Sequence, residues 1–226
     1  MADLLPITSY STLVAAIMSL AEDVGVEVQE YLPVAIDLAE QKLTKELDII
    51  GLTYTSPNIV LPVGQTVITK PLGHKLTYYL KIVNPNTNVE KLLVFKQDDY
   101  LIEYWGGDKF AGDPKYYSDI DETSFRIVPS SGESWNVVVK GVRRPDPLSV
   151  SNQTNMFTRQ SSDALLSACM KEIATWQRND AMYAKYQPIY EGCRDALNNE
   201  GRRQRRDSGE APRNPDPSAN TLLGTN

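Results

Sequence analysis

One histidine and two cysteines are all that the 226 residues offer to imidazole or thiol chemistry. Cys169 and Cys193 are too few and too far apart for a disulfide framework or a zinc site. Both fall at apolar positions of expected helices, so two reduced core thiols are expected. The histidine, His74, stands in the turn Pro-Leu-Gly-His-Lys without a Gly-x-Ser-x-Gly elbow anywhere in the chain. A Ser-His-Asp hydrolase therefore has no visible seat, and an exposed turn residue is the expectation for His74. Neither G-x-G-x-x-G nor G-x-x-x-x-G-K-[ST] occurs, which argues against nucleotide-driven chemistry. No apolar run approaches the roughly 20 residues of a membrane span. The opening Met-Ala-Asp-Leu-Leu-Pro lacks the basic and apolar regions of a secretory signal, so a soluble, unsecreted protein is expected.

Positive charge is also scarce. The chain carries a formal charge of −6, yet residues 201–226 hold five arginines against three acids, net +2, which leaves −8 on the remainder. A body that acidic repels a polyanion and excludes general DNA binding. Asp119, Asp121 and Glu122 alternate along a tight turn, but the spacing lacks the glycine and terminal glutamate of a calcium loop. A hairpin turn without metal is expected there.

What is present is patterned. Ser9 or Ser11 starts a short helix over 9–21. A longer helix spans about 28–50, with apolar residues at 32, 36, 39, 43, 47 and 50 on one stripe, Pro33 in its first turn and Gly51 at its C-cap. From Leu52 the texture turns β-branched and aromatic, with strands expected at 58–62, 66–69, 78–83, 89–95, 116–120, 124–128 and 135–142. The turns PVGQ, NPNTN, DIDET and PSSGES separate them, and 97–105 is a short helix closed by Gly106 and Gly107. Beyond Pro145 and Pro147, a helix over 161–177 places Leu165, Cys169, Ile173 and Trp176 on a stripe, with Ser161 or Ser162 as N-cap. A second helix over 181–200 aligns Met182, Tyr186, Ile189, Cys193 and Leu197, and the two should pack as an antiparallel hairpin. Pro188 predicts a kink or restart.

The expected fold class is α+β: a helical bundle core, made of the long helix and the C-terminal helical hairpin, with an inserted antiparallel β-subdomain and an extended tail. The expected boundaries are 1–51 for the N-terminal helices, 52–148 for the β-subdomain, 149–206 for the C-terminal helical pair and 207–226 for a docking tail. That tail, DSGEAPRNPDPSANTLLGTN, is rich in Pro, Asn, Asp, Ser and Gly and has one apolar pair, Leu222 and Leu223. Such a segment buries too little apolar surface to offset its ordering entropy, so it should order only against a partner.

Three readings fit the run Arg202-Arg203-Gln204-Arg205-Arg206 at its root: a solvated helix end, a nucleic-acid patch, or a docking root for an acidic protein groove. Arg202, Arg203, Arg205 and Arg206 are candidates for charge-assisted docking, and Leu222 with Leu223 for an apolar anchor. Tyr100, Tyr104 and Trp105 form either an interface cluster or the buried face of a short helix.

Several strings in sequence order resemble the head-to-tail adaptor (connector) proteins of tailed bacteriophages: DLAEQKLTKELDIIG at 37–51, PKYYSDIDETSFRIVP at 114–129, WNVVVKGVRRPDPLS at 135–149 and ALNNEGRRQRR at 196–206. The resemblance spans about 28–206. It implies a structural virion protein without enzyme activity or cofactor, located at the neck of the virion and in the host cytoplasm during assembly. Such adaptors form a ring, usually of twelve copies, between the portal protein and a tail protein of nozzle or tail-completion type, and DNA passes through without specific binding. The resemblance also implies that the helical region forms the ring body, that the β-subdomain points toward the tail and that the C-terminal arm reaches into the portal. The rival functions are a nucleic-acid-binding module using the arginine run and a small hydrolase in the β-subdomain, which requires His74 or a carboxylate pair to face a pocket.

Overall fold

Ser9 opens the first helix, α1 (Tyr10–Leu20), by accepting from the Thr12 amide while Thr12 returns a side-chain bond to the Ser9 amide. This capping box lies within the residues that the computed structural model describes: 6–21, 25–106 and 112–207, with backbone alone at Ile50, Arg206 and Asp207. The described residues contain six α-helices and nine strands, an α+β chain. Contacts divide the chain into two compact units, residues 1–52 with 145–226 and residues 53–144.

In the helical unit, α2 (Val26–Glu46) buries Val28, Leu32, Ile36, Ala39 and Leu43, which is the expected stripe with one more member at its start. Two details differ from expectation. The helix ends at Leu47, which turns extended, rather than at Gly51, which sits in a 3-10 turn, Ile50–Leu52. Pro33 lies two turns inside α2 rather than in its first turn, on an exposed face. After the polar 145–155 stretch comes α4 (Met156–Gln160), which periodicity did not reveal because five residues are too short to display it. Ser161 ends α4 and begins α5 (Ser162–Gln177): its amide donates to the Phe157 carbonyl at 3.0 Å and its carbonyl accepts from Leu165 at 3.0 Å. Its hydroxyl, expected to cap α5, makes no cap bond.

α5 packs on α2 and on α6 (Asp180–Asp207) through Leu165, Cys169 and Ile173. Trp176, expected on that buried stripe, is instead exposed and stacks on Tyr31 of α2, ring centroids 4.7 Å apart. On α6, Met182 and Tyr186 are buried as expected, but Tyr190 is buried and Ile189 exposed, a one-residue rotation of the stripe. Pro188 neither breaks nor restarts α6. It is exposed, as is Ala184, the residue whose carbonyl loses its helical donor. Cys169 is buried, whereas Cys193 is half-buried with its thiol 3.4 Å from the Asp163 carboxylate, so only the first is a core thiol.

One buried carboxylate organises this unit. Glu40, 2% exposed, accepts from the Leu148 amide at 3.2 Å and from the Asn155 side-chain amide at 2.5 Å. The Asn155 carbonyl oxygen is thereby turned toward the Phe157 and Thr158 amides, which it caps at 3.0 and 3.3 Å.

The β-unit has two sheets. The first has the order β1 (Thr53–Thr55), β9 (Trp135–Arg143), β4 (His74–Val83), β5 (Glu90–Leu92), with β2 (Ile59–Leu61) also on β9. The second runs β3 (Val67–Thr69), β8 (Ser124–Val128), β7 (Tyr116–Asp119), β6 (Val94–Phe95). Leu61, Leu80, Ile82, Phe125, Ile127, Trp135, Val137 and Val139 form its core. The period of two is plain in β9, where Trp135, Val137 and Val139 turn inward.

The expected strand 89–95 is split. Leu93 bonds to Leu80 in the first sheet and Val94 to Lys115 beside the second, so the chain changes sheets at a single buried residue. Pairing is antiparallel except for β6 with β7, which are parallel because α3 (Asp98–Trp105) forms the crossover between them. The β-subdomain is therefore not antiparallel throughout. β1 escaped sequence reading because three residues give no periodicity.

Glu40→Ala leaves two buried donors without their acceptor and should destabilise the protein by about 2–4 kcal/mol in urea denaturation, whereas Glu122→Ala at an exposed turn should stay within about 0.5 kcal/mol.

Candidate functional site

Helical spacing brings Asn198, Gly201 and Arg205 to one side of α6, and that side closes on the segment that follows α2. The Asn198 amide donates to the Glu46 carbonyl at 3.2 Å while its oxygen accepts from the Asp48 amide at 2.8 Å. Gly201 is buried against the same segment. A Cβ there would lie 2.5 Å from the Asp48 carbonyl oxygen, so no other residue permits this approach. Arg205 donates to the Asp48 carbonyl at 2.6 Å and to its carboxylate at 2.7 and 2.8 Å.

The arginine run is thus divided by its contacts. Arg205 is engaged by its own chain, whereas Arg202 and Arg203 are exposed, and Arg202 reaches Asn199 on its own helix at 3.4 Å. Arg206 continues the helix in backbone; its side chain, like Leu222 and Leu223, lies outside the described residues. Asp48 and Asn198, which tie the last turns of α6 to the segment after α2, were not legible as site residues. The i, i+3, i+7 spacing of Asn198, Gly201 and Arg205 was the available signal.

The second candidate is α3. Its first-turn Asp98 accepts from Arg126 Nε at 2.8 Å and from the Ser118 hydroxyl at 2.6 Å, which ties the helix start to β7 and β8. Arg126 holds the Asp98 carboxyl below the usual carboxylate range; burial opposes this and the Ser118 bond assists it. Leu101 is fully buried beneath the helix. Tyr100 and Tyr104, one turn apart, face out at 41% and 59% exposure with their rings 4.5 Å from each other. The Lys96 ammonium lies 5.5 Å from the Tyr100 ring. Trp105 does not join them: it is half-buried, 6.3 Å from the Tyr116 ring. The interface reading therefore suits the two tyrosines and the packing reading suits the tryptophan.

His74 is not an exposed turn residue. It is the first residue of β4, half-buried, with Nδ1 2.7 Å from the Tyr54 hydroxyl and Nε2 2.9 Å from the Thr77 hydroxyl. Burial lowers its pKa, and Lys70 adds to that effect. Both nitrogens are bonded to neutral hydroxyls, and the residue lines a cleft together with Lys70, Tyr117 and Asp119. Asp121 accepts from the Thr123 amide and hydroxyl at 2.7 and 2.8 Å, and Asp119 pairs with Lys70 at 2.7 Å. Among the described residues no cluster of three or more metal-ligating side chains is present. No helix among them is long and apolar enough to cross a membrane.

A family model described as SU10 adaptor protein matches residues 8–216. No curated protein matches the chain.

Asp98→Ala should release the start of α3 at a cost of about 1.5–3 kcal/mol, while Tyr100→Ala with Tyr104→Ala should leave the unfolding midpoint almost unchanged. The pH dependence has a definite sign. A carboxylate whose folded pKa is depressed stabilises fully above its unfolded value, here 3.8, and loses that contribution as pH falls through the folded value. The stability advantage over Asp98→Asn should therefore be constant near neutrality and shrink in acid below 3.8.

Proposed function

The chain belongs to the SU10 adaptor protein family, whose model covers residues 8–216, and is a structural protein of the phage adaptor kind; we propose that it joins the head of a tailed phage to its tail as a ring. In this reading copies of the chain, twelve in the simplest case, assemble beneath the portal protein, receive the tail protein below and leave a channel for DNA. The protein performs no chemistry and needs no cofactor.

The observation that carries the reading is the family match, which includes both units and the arginine run. The root of the C-terminal arm supports it. Asp48 and Asn198 anchor the last turns of α6, so Arg202 and Arg203 are held outward at the point from which residues 208–226 depart. Two exposed guanidinium groups on an anchored helix end are suited to a carboxylate-lined groove on the portal. The tail composition lets residues 208–226 take their shape from that groove, with Leu222 and Leu223 as apolar anchors. Each arm binds modestly, and repetition around a ring multiplies the contacts into a durable joint. The −8 on the body, turned toward the channel, keeps DNA from adhering during passage.

Deleting 207–226 should leave the unfolding transition intact and abolish co-sedimentation with portal rings; equal co-sedimentation of the truncated and full-length chains would refute the docking role. Arg202→Ala with Arg203→Ala should weaken attachment by about tenfold or more, because charge-assisted hydrogen bonds contribute on the order of 1.5–3 kcal/mol.

A further inference from the structure

Each of the two helices that flank α5 has an outward side that is not wholly polar. On α2, Glu27, Glu30, Val34, Leu38 and Lys45 recur at helical spacing opposite the buried Leu32, Ile36, Ala39 and Leu43. All five are exposed, Val34 at 50% and Leu38 at 39%, so this side begins acidic, turns apolar and ends basic. On α6, Lys185, Pro188, Ile189, Gly192 and Asp195 are exposed opposite the buried Tyr186 and Tyr190, Ile189 at 47%. Arg178 stands exposed in the turn just before the helix, so this side begins basic, turns apolar and reaches an acid. Asp180 and Glu191 fall about a quarter turn off it.

Neither side is used up within the chain. Among the described residues Glu27, Glu30, Lys45, Arg178 and Lys185 make no ion pair, and Asp195, bonded by its neighbour Arg194 at 2.8 Å, keeps its side chain 62% exposed. Gly192 lies in the helix interior, where glycine is the least favourable residue after proline. A Cβ there would meet no described atom of the chain within 4 Å, so nothing in the chain itself calls for its absence. A helix laid on α6 from outside does benefit, because the side chains at a contact set how closely two helices approach.

We propose that α2 of one copy lies parallel along α6 of a second copy, with Glu27 opposite Arg178, Leu38 over Pro188 and Ile189, and Lys45 opposite Asp195. The order of charges selects both the occupant and its direction. Glu27 and Lys45 stand eighteen positions apart and Arg178 and Asp195 seventeen, roughly 25 Å of helix in each case, so both ends pair at once when the helices run the same way. Run the opposite way, Glu27 would face Asp195 and Lys45 would face Arg178. The complementary order is carried by this chain itself, so the occupant is a second copy. Two different sides of one helical unit form a heterologous contact, and contacts of that type close into rings when the rotation permits. A two-fold contact of α2 with α2 would also pair Glu27 with Lys45, but it yields pairs of chains and leaves Gly192 without a use. The proposal rests on the ring reading above and names the helix faces that would build it.

The test uses full-length chains carrying Leu38→Cys or Ile189→Cys, mixed and oxidised, both alone and after addition of portal rings. The native thiols interfere little, since Cys169 is buried and burial with the Asp163 bond pushes the Cys193 thiol up to about 11. The expected result is an intermolecular disulfide in the mixture and none with either variant alone. Lys45→Glu and Asp195→Lys, both at exposed positions, should each keep the unfolding midpoint and reduce ring assembly by about tenfold or more, and the two combined in one chain should restore it. Rings without the mixed disulfide, or a combined variant no better than the single ones, would overturn the proposal. So would a Leu38→Cys chain that cross-links to itself, the mark of an α2–α2 contact, or a Leu38→Cys thiol that is protected from alkylation only when tail protein is added. Deleting 207–226 tests portal docking without touching this contact, so either idea can fail while the other stands. A wild-type chain that forms no ring, alone or on portal, removes the ring reading and this proposal together.

Discussion

A single carboxylate in the interior of the helical unit decides where the second half of the chain goes. Glu40 is out of water, so its oxygens require donors, and the chain supplies them at the point where it re-enters the helical unit, from Leu148 and Asn155. Because the Asn155 amide nitrogen is committed to Glu40, its oxygen caps α4; because α4 ends at Ser161, α5 starts there. The position of α5 against α2 then fixes the hairpin partner α6. A helix assembled from local preference alone would lack this chain of dependence.

The same logic, polar tethers beneath and apolar or charged groups above, recurs at both candidate surfaces. Asp98 locks the start of α3 to the sheet, and the helix period then forces Tyr100 and Tyr104 outward together. Asp48 and Asn198 hold the last turns of α6, where Arg205 is engaged by Asp48 while Arg202 and Arg203 are exposed. A surface whose direction is set before binding loses less affinity to ordering than one that must fold at the moment of contact.

Much of the helical architecture was legible because its elements are long. α2 and α5 carry their apolar residues at steps of three and four, and the Ser9 cap follows from a side chain that accepts a backbone amide locally. Short elements were not. α4, β1 and the division of 89–95 at Leu93 span five residues or fewer, and no period can be established over so few positions. The site was legible in the same partial way. Exposure of Arg202 and Arg203 agrees with a charged helix end, but the capture of Arg205 by Asp48 joins residues 157 positions apart and leaves no local trace. His74 was misplaced for the same reason: its partners Tyr54 and Thr77 come from two strands of one sheet, and only pairing reveals that both ring nitrogens are bonded.

The sequence by itself therefore determined the class of the protein, the course of its long helices, the strand-rich middle and the charge imbalance between body and arm, since each follows from residue spacing or composition within a window of the chain. Tertiary structure alone decided which face of α6 is buried at Tyr190, why β6 and β7 run parallel, and which arginine is engaged and which are exposed. These depend on contacts between distant segments, whose energies are set by burial and hydrogen-bond geometry after the chain has folded and not by the order of residues along it.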